Sequence, residues 1–356
     1  MLAADKFKYL IRNIIAMLIL VCLVLIAMLE FKNLYIVPSV LVLQSKFDGV
    51  KDRIIQSKDS LKDFETIFEA PNIQDFQATK SQLLVITGQK DGESSLQLVN
   101  IKTKQVKKID YTGKFINEIV AGGDKFVMLV EDLKNDSRSY KSKLAMIVGD
   151  NPQVQDLNPQ FLASTSYSIF INPSGSLLIF SGVANNQYIV ELDNLESVTK
   201  LNNDTRLTLG FINEKQIAFA NYLAIDGVQV EVLDLSSDQS VFYPLGNEKY
   251  NQIVLSTDGK SINYTQSREI NGTRINGLKS YNNPNAYFIP NFSFENIQLS
   301  PTSEFLLFEK TNINNLVSST KKYEYSANKS FSIYHFKNKY LSTNQIEGTK
   351  AIWAKN

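Results

Sequence analysis

The chain is nearly without the residues from which most metal and nucleophilic sites are built. Its 356 residues include one histidine, His335, and one cysteine, Cys22. A four-ligand zinc site, a Cys–His nucleophile pair, a disulfide framework and an iron–sulfur cluster therefore have almost nothing to be made from. An excess of charge of one sign is missing too. Thirty-seven Lys and Arg face 36 Asp and Glu, for a net charge of +1. That leaves no electrostatic footprint for nucleic acid. No G-x-S-x-G elbow, phosphate-cradling glycine loop or EF-hand loop occurs. No catalytic residue, metal ligand or cofactor is assigned. The hydrophobic fraction of 44% and charged fraction of 21% are those of a globular chain with room for a sizeable core.

Long hydrophobic runs are also absent, with one exception. Ile14 to Leu29 reads IIAMLILVCLVLIAML without a charge or strongly polar group. With its flanks it approaches the roughly 20 residues that a bilayer span needs, and a transmembrane helix is expected over 14–31, with Arg12 snorkelling to the headgroups. The rival reading, a cleaved signal peptide, lacks the small-residue cleavage site, since the run ends Ala27-Met28-Leu29-Glu30. Lys6, Lys8 and Arg12 precede the span, so the positive-inside bias makes 1–13 a cytoplasmic tail. The remainder is then extracytoplasmic, at the cell membrane of a bacterial or archaeal envelope. Its lack of cysteine fits poorly with a eukaryotic lumenal domain.

Between 38 and 69 apolar residues keep a heptad: Val40, Phe47, Ile54, Leu61, Phe68 in one position and Leu43, Val50, Phe64 in the other, with Ser57 as the exception. Pro38-Ser39 suits a helix start and Ala70-Pro71 a stop. A helical stalk is expected, either a coiled coil making a homo-oligomer through 40–68 or a single packed helix. Against it stand Gly49, costing about 1 kcal/mol in a helix, and like-charged pairs four apart such as Asp48/Asp52 and Asp59/Asp63.

From residue 72 the texture becomes short strands separated by Asn, Asp, Gly and Ser turns. A unit recurs. First strands end at Gln77, Val120, Ile171, Phe211, Leu255 and Leu299, spaced 43, 51, 40, 44 and 44 residues apart. A period near 44 with four short strands per unit predicts an all-β propeller over 72–356, with six blades and seven as the alternative count. The fifth unit lacks a clean third strand around Asn276–Phe288. Ala351-Ile352-Trp353 looks like one more first strand, able to close the ring and remove its open edges, with Trp353 as a core anchor.

The turns NPSG (172–175), STDGK (256–260) and SPTSE (300–304) carry a resemblance. They resemble the S-P-D-G-K turn of the WD40-like repeats in TolB-type propellers. No unit holds the full motif: Thr257 stands where Pro is usual, and Ser174 and Ser303 where Asp or Gly is usual. The resemblance implies the propeller fold and does not extend to a specific role.

His335, between Tyr334 and Phe336 in a strand, reads as structural. Glu231, Asp234 and Asp238 read as outer-strand and turn groups, and Lys102, Lys104, Lys107 and Lys108 as lysines that block edge pairing. Two connections between second and third strands are long, 131–143 and 310–330. In a six-blade ring they flank the first unit on one face, and they carry Arg138, Tyr140, Lys321, Lys322, Tyr323 and Tyr325, residue types enriched at interfaces. The reading is a single-pass, extracytoplasmic binding or scaffold module whose partners are the bilayer and a protein or cell-envelope polymer. The alternative is an envelope-polysaccharide hydrolase or lyase using carboxylates in the propeller's funnel.

Overall fold

The computed structural model describes residue 15, residues 17–24 and residues 38–355, less 47, 60, 62, 89–93, 112–114, 133–140, 158–167, 182–185, 202–205, 223, 225–226, 247–249, 271–272, 282–291, 313–328, 337–339 and 343–344. Two compact units result, 1–38 and 39–356. In the first, Ile15 and Met17–Val24 are helical with exposed apolar side chains. Among the described residues no helix is long and apolar enough to cross a membrane. The rest of the 14–31 segment, like the 1–13 tail, lies outside the described residues.

The second unit is a seven-bladed propeller. Blade 1 contains β1 (Val40–Gln44), β2 (Asp52–Asp59) and β3 (Asp63–Ala70). Blade 2 runs β4 (Ile73–Ala78), β5 (Gln82–Gly88), β6 (Ser94–Asn100), β7 (Val106–Ile109). Blade 3 runs β8 (Phe115–Gly122), β9 (Lys125–Asp132), β10 (Lys141–Val148), β11 (Gln155–Leu157). Blade 4 runs β12 (Ile169–Ile171), β13 (Leu177–Ser181), β14 (Gln187–Glu191), β15 (Asn194–Leu201). Blade 5 runs β16 (Arg206–Phe211), β17 (Gln216–Asn221), β18 (Val228–Asp234), β19 (Gln239–Gly246). Blade 6 shows β20 (Tyr250–Leu255), β21 (Ile262–Ile270) and β22 (Thr273–Ser280). Blade 7 holds β23 (Phe292–Leu299), β24 (Phe305–Asn312), β25 (Lys329–His335), β26 (Tyr340–Leu341) and β27 (Ile346–Gly348). The last strand, β28 (Lys350–Trp353), leaves blade 7 and pairs antiparallel with β1, Val40 opposite Trp353 and Leu43 opposite Lys350. Blade 1 is thus one C-terminal strand plus three N-terminal ones, and the ring is closed.

Two expectations are corrected here. Residues 38–69 are not a helical stalk or coiled coil but the outer three strands of a blade, which raises the count from six to seven. The heptad misleads because Val40-Leu41-Val42-Leu43 is buried on both faces of a sheet, so its apolar run coincides with helical spacing by chance. Two heptad positions, Val50 and Phe64, are exposed. Gly49 is a turn glycine at φ +84°, and Leu61 sits at φ +62°, a conformation that no helix continues through. Asp48 caps this turn by accepting the Val50 and Lys51 amides at 3.0 and 2.7 Å. A smaller correction concerns the missing third strand of the fifth unit: it is β22, hidden by a polar composition that pairs fully with β21.

The core sits between blades, and successive residues of one strand feed different interfaces. Leu83 and Val85 of β5 face blade 1 with Leu41, Leu43 and Ile54. Leu84 and Ile86, one residue on, face blade 3 with Phe126 and Met128. Val127 and Leu129 then face blade 4 with Leu178 and Phe180. Period-two alternation carried on continuous apolar runs is what a sheet sandwiched on both sides requires. At the closure Trp353 is buried, donates from Nε1 to the Gln298 carbonyl at 3.2 Å, and lies 6.5 Å from the Phe305 ring, which stacks at 4.7 Å on buried His335.

Ile54 is fully buried against blade 2, so Ile54→Asp should lower stability by at least about 4 kcal/mol. Trp353→Ala should cost roughly 3–5 kcal/mol. Chemical denaturation alongside sedimentation checks both: loss of association with unchanged unfolding free energy in Ile54→Asp is the coiled-coil result and would contradict this blade.

Candidate functional site

In blades 2 to 7 the inner strand ends in a tight turn to the second strand, and these turns lie at one end of the ring. They are sewn together from blade 3 to blade 7. Gly123 donates its amide to the Pro173 carbonyl at 2.6 Å. Glu214 accepts Asn172 Nδ2 at 3.0 Å and the Ser174 amide at 3.1 Å. Asn213 Nδ2 donates to the Thr257 carbonyl at 3.0 Å, and the Thr257 amide to Ser303 Oγ at 2.9 Å. The first contact depends on glycine. A Cβ on Gly122 would come within 2.2 Å of the Asn172 carbonyl oxygen, and one on Gly175, at φ +76°, within 2.3 Å of the Gly122 oxygen. Asn172 shapes its own turn, accepting the Ser176 and Leu177 amides on Oδ1 at 2.8 and 2.9 Å. The NPSG motif is therefore a rim element in which the Asn172 side chain both shapes its own turn and reaches Glu214 of the next blade.

Inside this rim lies a funnel of about 1290 Å³. Its walls are unevenly divided. Blades 5, 6 and 7 with Trp353 supply an apolar side, in which Phe211, Ile212, Leu255, Leu299 and Pro301 take part. Blades 1 and 2 supply lysines: Lys80 from the first turn of blade 2, Lys102 from its last turn, Lys350 from β28 and Lys355 just beyond β28. Asp124 is the carboxylate in the lining. Lys350 is neutralised by Asp75 of β4 and also donates to the Phe76 carbonyl at 3.0 Å. Lys355 donates to the Ala121 carbonyl. Among the described residues no carboxylate pairs with Lys80, Lys102 or Lys355. Burial brings the Lys355 ammonium down to about 8, because removing a charge from water disfavours its protonated form.

Deeper in the ring Glu118 of β8 accepts the Ile169 amide of β12 at 3.1 Å. Burial is the main cause that raises this carboxyl above its usual range, with Asp75 adding to the effect while the Ile169 amide and Lys350 oppose it. Gln252 does the same structural job between β20 and β23, accepting the Ile297 amide at 3.0 Å. These carboxylates and amides tie neighbouring blades together, and Asp75 and Glu118 are both engaged. Elsewhere Glu231 is held by Arg206 at 2.6 Å and Ser240 at 2.6 Å, and Asp234 caps a turn through Ser236, which holds its carboxyl at about 2.

The sequence-derived binding residues are a different set. Arg138, Tyr140, Lys321, Lys322, Tyr323 and Tyr325 lie outside the described residues. The strands that precede these two connections, β9 and β24, belong to blades 3 and 7. Blade 1 and blade 2 separate the two, so they do not flank a single blade as six-blade counting implied. Of the four lysines expected to block edge pairing, only Lys107 and Lys108 sit on β7, while Lys102 lines the funnel. Lys80 and Lys355 carried no motif. The available signal was position: both follow the end of an inner strand, where a propeller points its turns at the axis.

No family model and no curated protein sequence matches the chain. Solved structures do. A prolyl endopeptidase superposes over 90% of this chain and 51% of its own, with a TM-score of 0.61 at 8% identity. The β-propeller domain of the Trilobed protease from Pyrococcus furiosus matches over 87% of this chain and 91% of its own, with a TM-score of 0.58 at 9% identity. That domain is described as having an open velcro topology, whereas β28 pairs with β1 here. TolB from Acinetobacter baumannii matches over 90% of this chain and 84% of its own, with a TM-score of 0.45 at 13% identity. The chain spans about half the length of the prolyl endopeptidase. The β-propeller fold is shared with the first two proteins, and at these identities the likeness is one of fold.

The lowered Lys355 value sets a pH window. Below about 8 Lys355 is charged both folded and unfolded, and the burial cost is present in full. Above 10.5, its ordinary value, it is neutral in both states and the cost is gone. The unfolded chain binds more protons in between, so stability should rise from pH 8 to 10.5. Lys355→Met should gain on the order of 1–3 kcal/mol at pH 7 and lose that rise, measured by denaturation at several pH values against the parent chain.

Proposed function

We propose that this chain is a membrane-anchored, extracytoplasmic binding or scaffold module whose ring presents the funnel to a ligand or partner in the cell envelope. The observation that supports the reading best is the funnel: a large, mostly apolar concavity with a few placed polar groups, set in a rim that hydrogen bonds hold in shape. Preformed concavities of this kind are where ligands bind. Anchoring is inferred from the uncharged run Ile14–Leu29 and orientation from the basic residues before it. The long connections bearing Arg138, Tyr140, Lys321, Lys322, Tyr323 and Tyr325 are proposed as a second contact surface.

A polysaccharide hydrolase of the usual kind works with two carboxylates facing the scissile bond. Here Asp75 is paired with Lys350 and Glu118 holds a backbone amide. Several solved propeller proteins of similar fold are named as peptidases, among them an acylaminoacyl peptidase matched over 50% of its length with a TM-score of 0.57 at 9% identity. That likeness supports a propeller able to sit beside other activities and assigns none to this chain.

Topology is tested with thiols. Cys22 is the chain's own cysteine, in the apolar run. In a Cys22→Ser background, Val50→Cys on the exposed turn of blade 1 should react with a membrane-impermeant maleimide in intact cells lacking an outer barrier, and Lys6→Cys should not. The protein should stay with the membrane fraction and keep residues 1–29. Labelling of Lys6→Cys alone, or a mature chain starting after residue 29, contradicts the anchor.

A further inference from the structure

We infer that the funnel selects an apolar carboxylate: a ligand with a hydrophobic body seated on the wall of Phe211, Leu255, Leu299 and Trp353 and an anionic head taken by Lys355, with Lys80 and Lys102 at the rim. The inference rests on the funnel being a binding site and adds the chemistry of what enters.

Three observations carry it. The first is the division of the walls. Blades 5 to 7 line the funnel with apolar groups and no lysine, while all four lining lysines, Lys80, Lys102, Lys350 and Lys355, come from blades 1 and 2, where Ile352 and Trp353 of β28 carry the apolar surface up to them. A neutral apolar ligand makes no use of the second side, and a highly charged one is poorly served by the first. The second is the charge left over. Asp75 neutralises Lys350, while no carboxylate among the described residues neutralises Lys80, Lys102 or Lys355, and Asp124 is the acidic group in the lining. The third is the place of Lys355. Its Nζ is drawn toward the inner wall by the Ala121 carbonyl, where the loss of water is felt most. A half-buried ammonium whose partner is a neutral carbonyl gains more from an incoming anion than an exposed one does, because water screens the pairing less there. The turn-to-turn hydrogen bonds that seal the rim run from blade 3 to blade 7. Lys80, Lys102 and Lys355 stand in the remaining sector.

The chain carries its own reporter, since Trp353 is the only tryptophan and lines the funnel. The experiment uses the full chain in maltoside micelles and follows Trp353 emission. N-acetyl-leucyl-leucine with a free carboxylate is titrated against the same peptide as its amide, and hexanoate against hexanamide. The first pair represents a peptide C-terminus and the second an acyl chain, two sources of one chemistry. Saturable binding is expected, at least tenfold tighter for acid than for amide in one or both pairs. Lys355→Met should reduce that preference to less than threefold, with the acid losing far more affinity than the amide. Lys80→Met with Lys102→Met, both at exposed positions, should reduce it in part and guards against a folding defect in the first variant. Equal binding of acid and amide overturns the inference and leaves the funnel a binding site of other chemistry. An undiminished preference in Lys355→Met and in the double variant also overturns it. No change in Trp353 emission with any probe removes the funnel as the site and takes both readings with it.

Discussion

The antiparallel pairing of β28 with β1 is the interaction on which the rest of the molecule depends. A blade exposes two apolar faces, and neither can be left to water. Each is covered only by the next blade, so seven sheets are stable together when the last also covers the first. Four residues from the C-terminus, Lys350–Trp353, supply the innermost strand of blade 1 and bring Trp353 onto the Gln298 carbonyl of blade 7. The same short segment delivers Lys350 to Asp75 of blade 2 and Lys355 to the Ala121 carbonyl of blade 3. One strand therefore closes the ring and furnishes part of the funnel wall. Closure entropy over about 310 residues is offset by contacts that no single blade can make.

The polar groups at the ring's centre follow from the same geometry. Inner strands have register shifts beside Glu118 and Gln252, and these side chains accept an amide of the neighbouring inner strand, that of Ile169 at the start of β12 and that of Ile297 within the register shift of β23. A buried amide without a partner is costly, and a carboxylate or carboxamide from the preceding blade removes that cost. What looks like a pair of acidic residues near an axis is in this ring a set of fasteners. The lysines are different in kind, because Lys80, Lys102 and Lys355 have no acidic counterpart among the described residues, and Lys355 of the three is also partly withdrawn from water.

Much of this was legible in the sequence. The turns at 172–175, 256–260 and 300–304 and the spacing near 44 residues pointed to a propeller, and Ala351-Ile352-Trp353 to a closing strand. What failed was blade 1, where Val40–Leu43 satisfies a heptad and a doubly buried strand equally well. The deciding marks were small: Gly49 beside Asp48, and like charges four residues apart, are unfavourable in a helix and ordinary in a hairpin. β22 failed for the opposite reason, as its Thr, Arg, Asn, Gly and Lys show no apolar alternation and only its pairing with β21 makes it a strand. The funnel lysines were not legible as a set because Lys80 and Lys102 lie in two turns of blade 2 and Lys350 and Lys355 on the C-terminal strand and just beyond it, segments that only ring closure brings together. The aromatic and basic residues of the two long connections were conspicuous by composition, yet they lie outside the described residues.

Amide hydrogen exchange, read peptide by peptide, tests the closed seven-blade ring most directly. Val40–Gln44 and Lys350–Trp353 should be protected to the same degree as Gln82–Gly88 and should lose protection together with it as denaturant rises, because the ring opens as one unit. Rapid exchange of 350–353 in an otherwise protected chain, or independent melting of 40–68 as a separate helical segment, would contradict it.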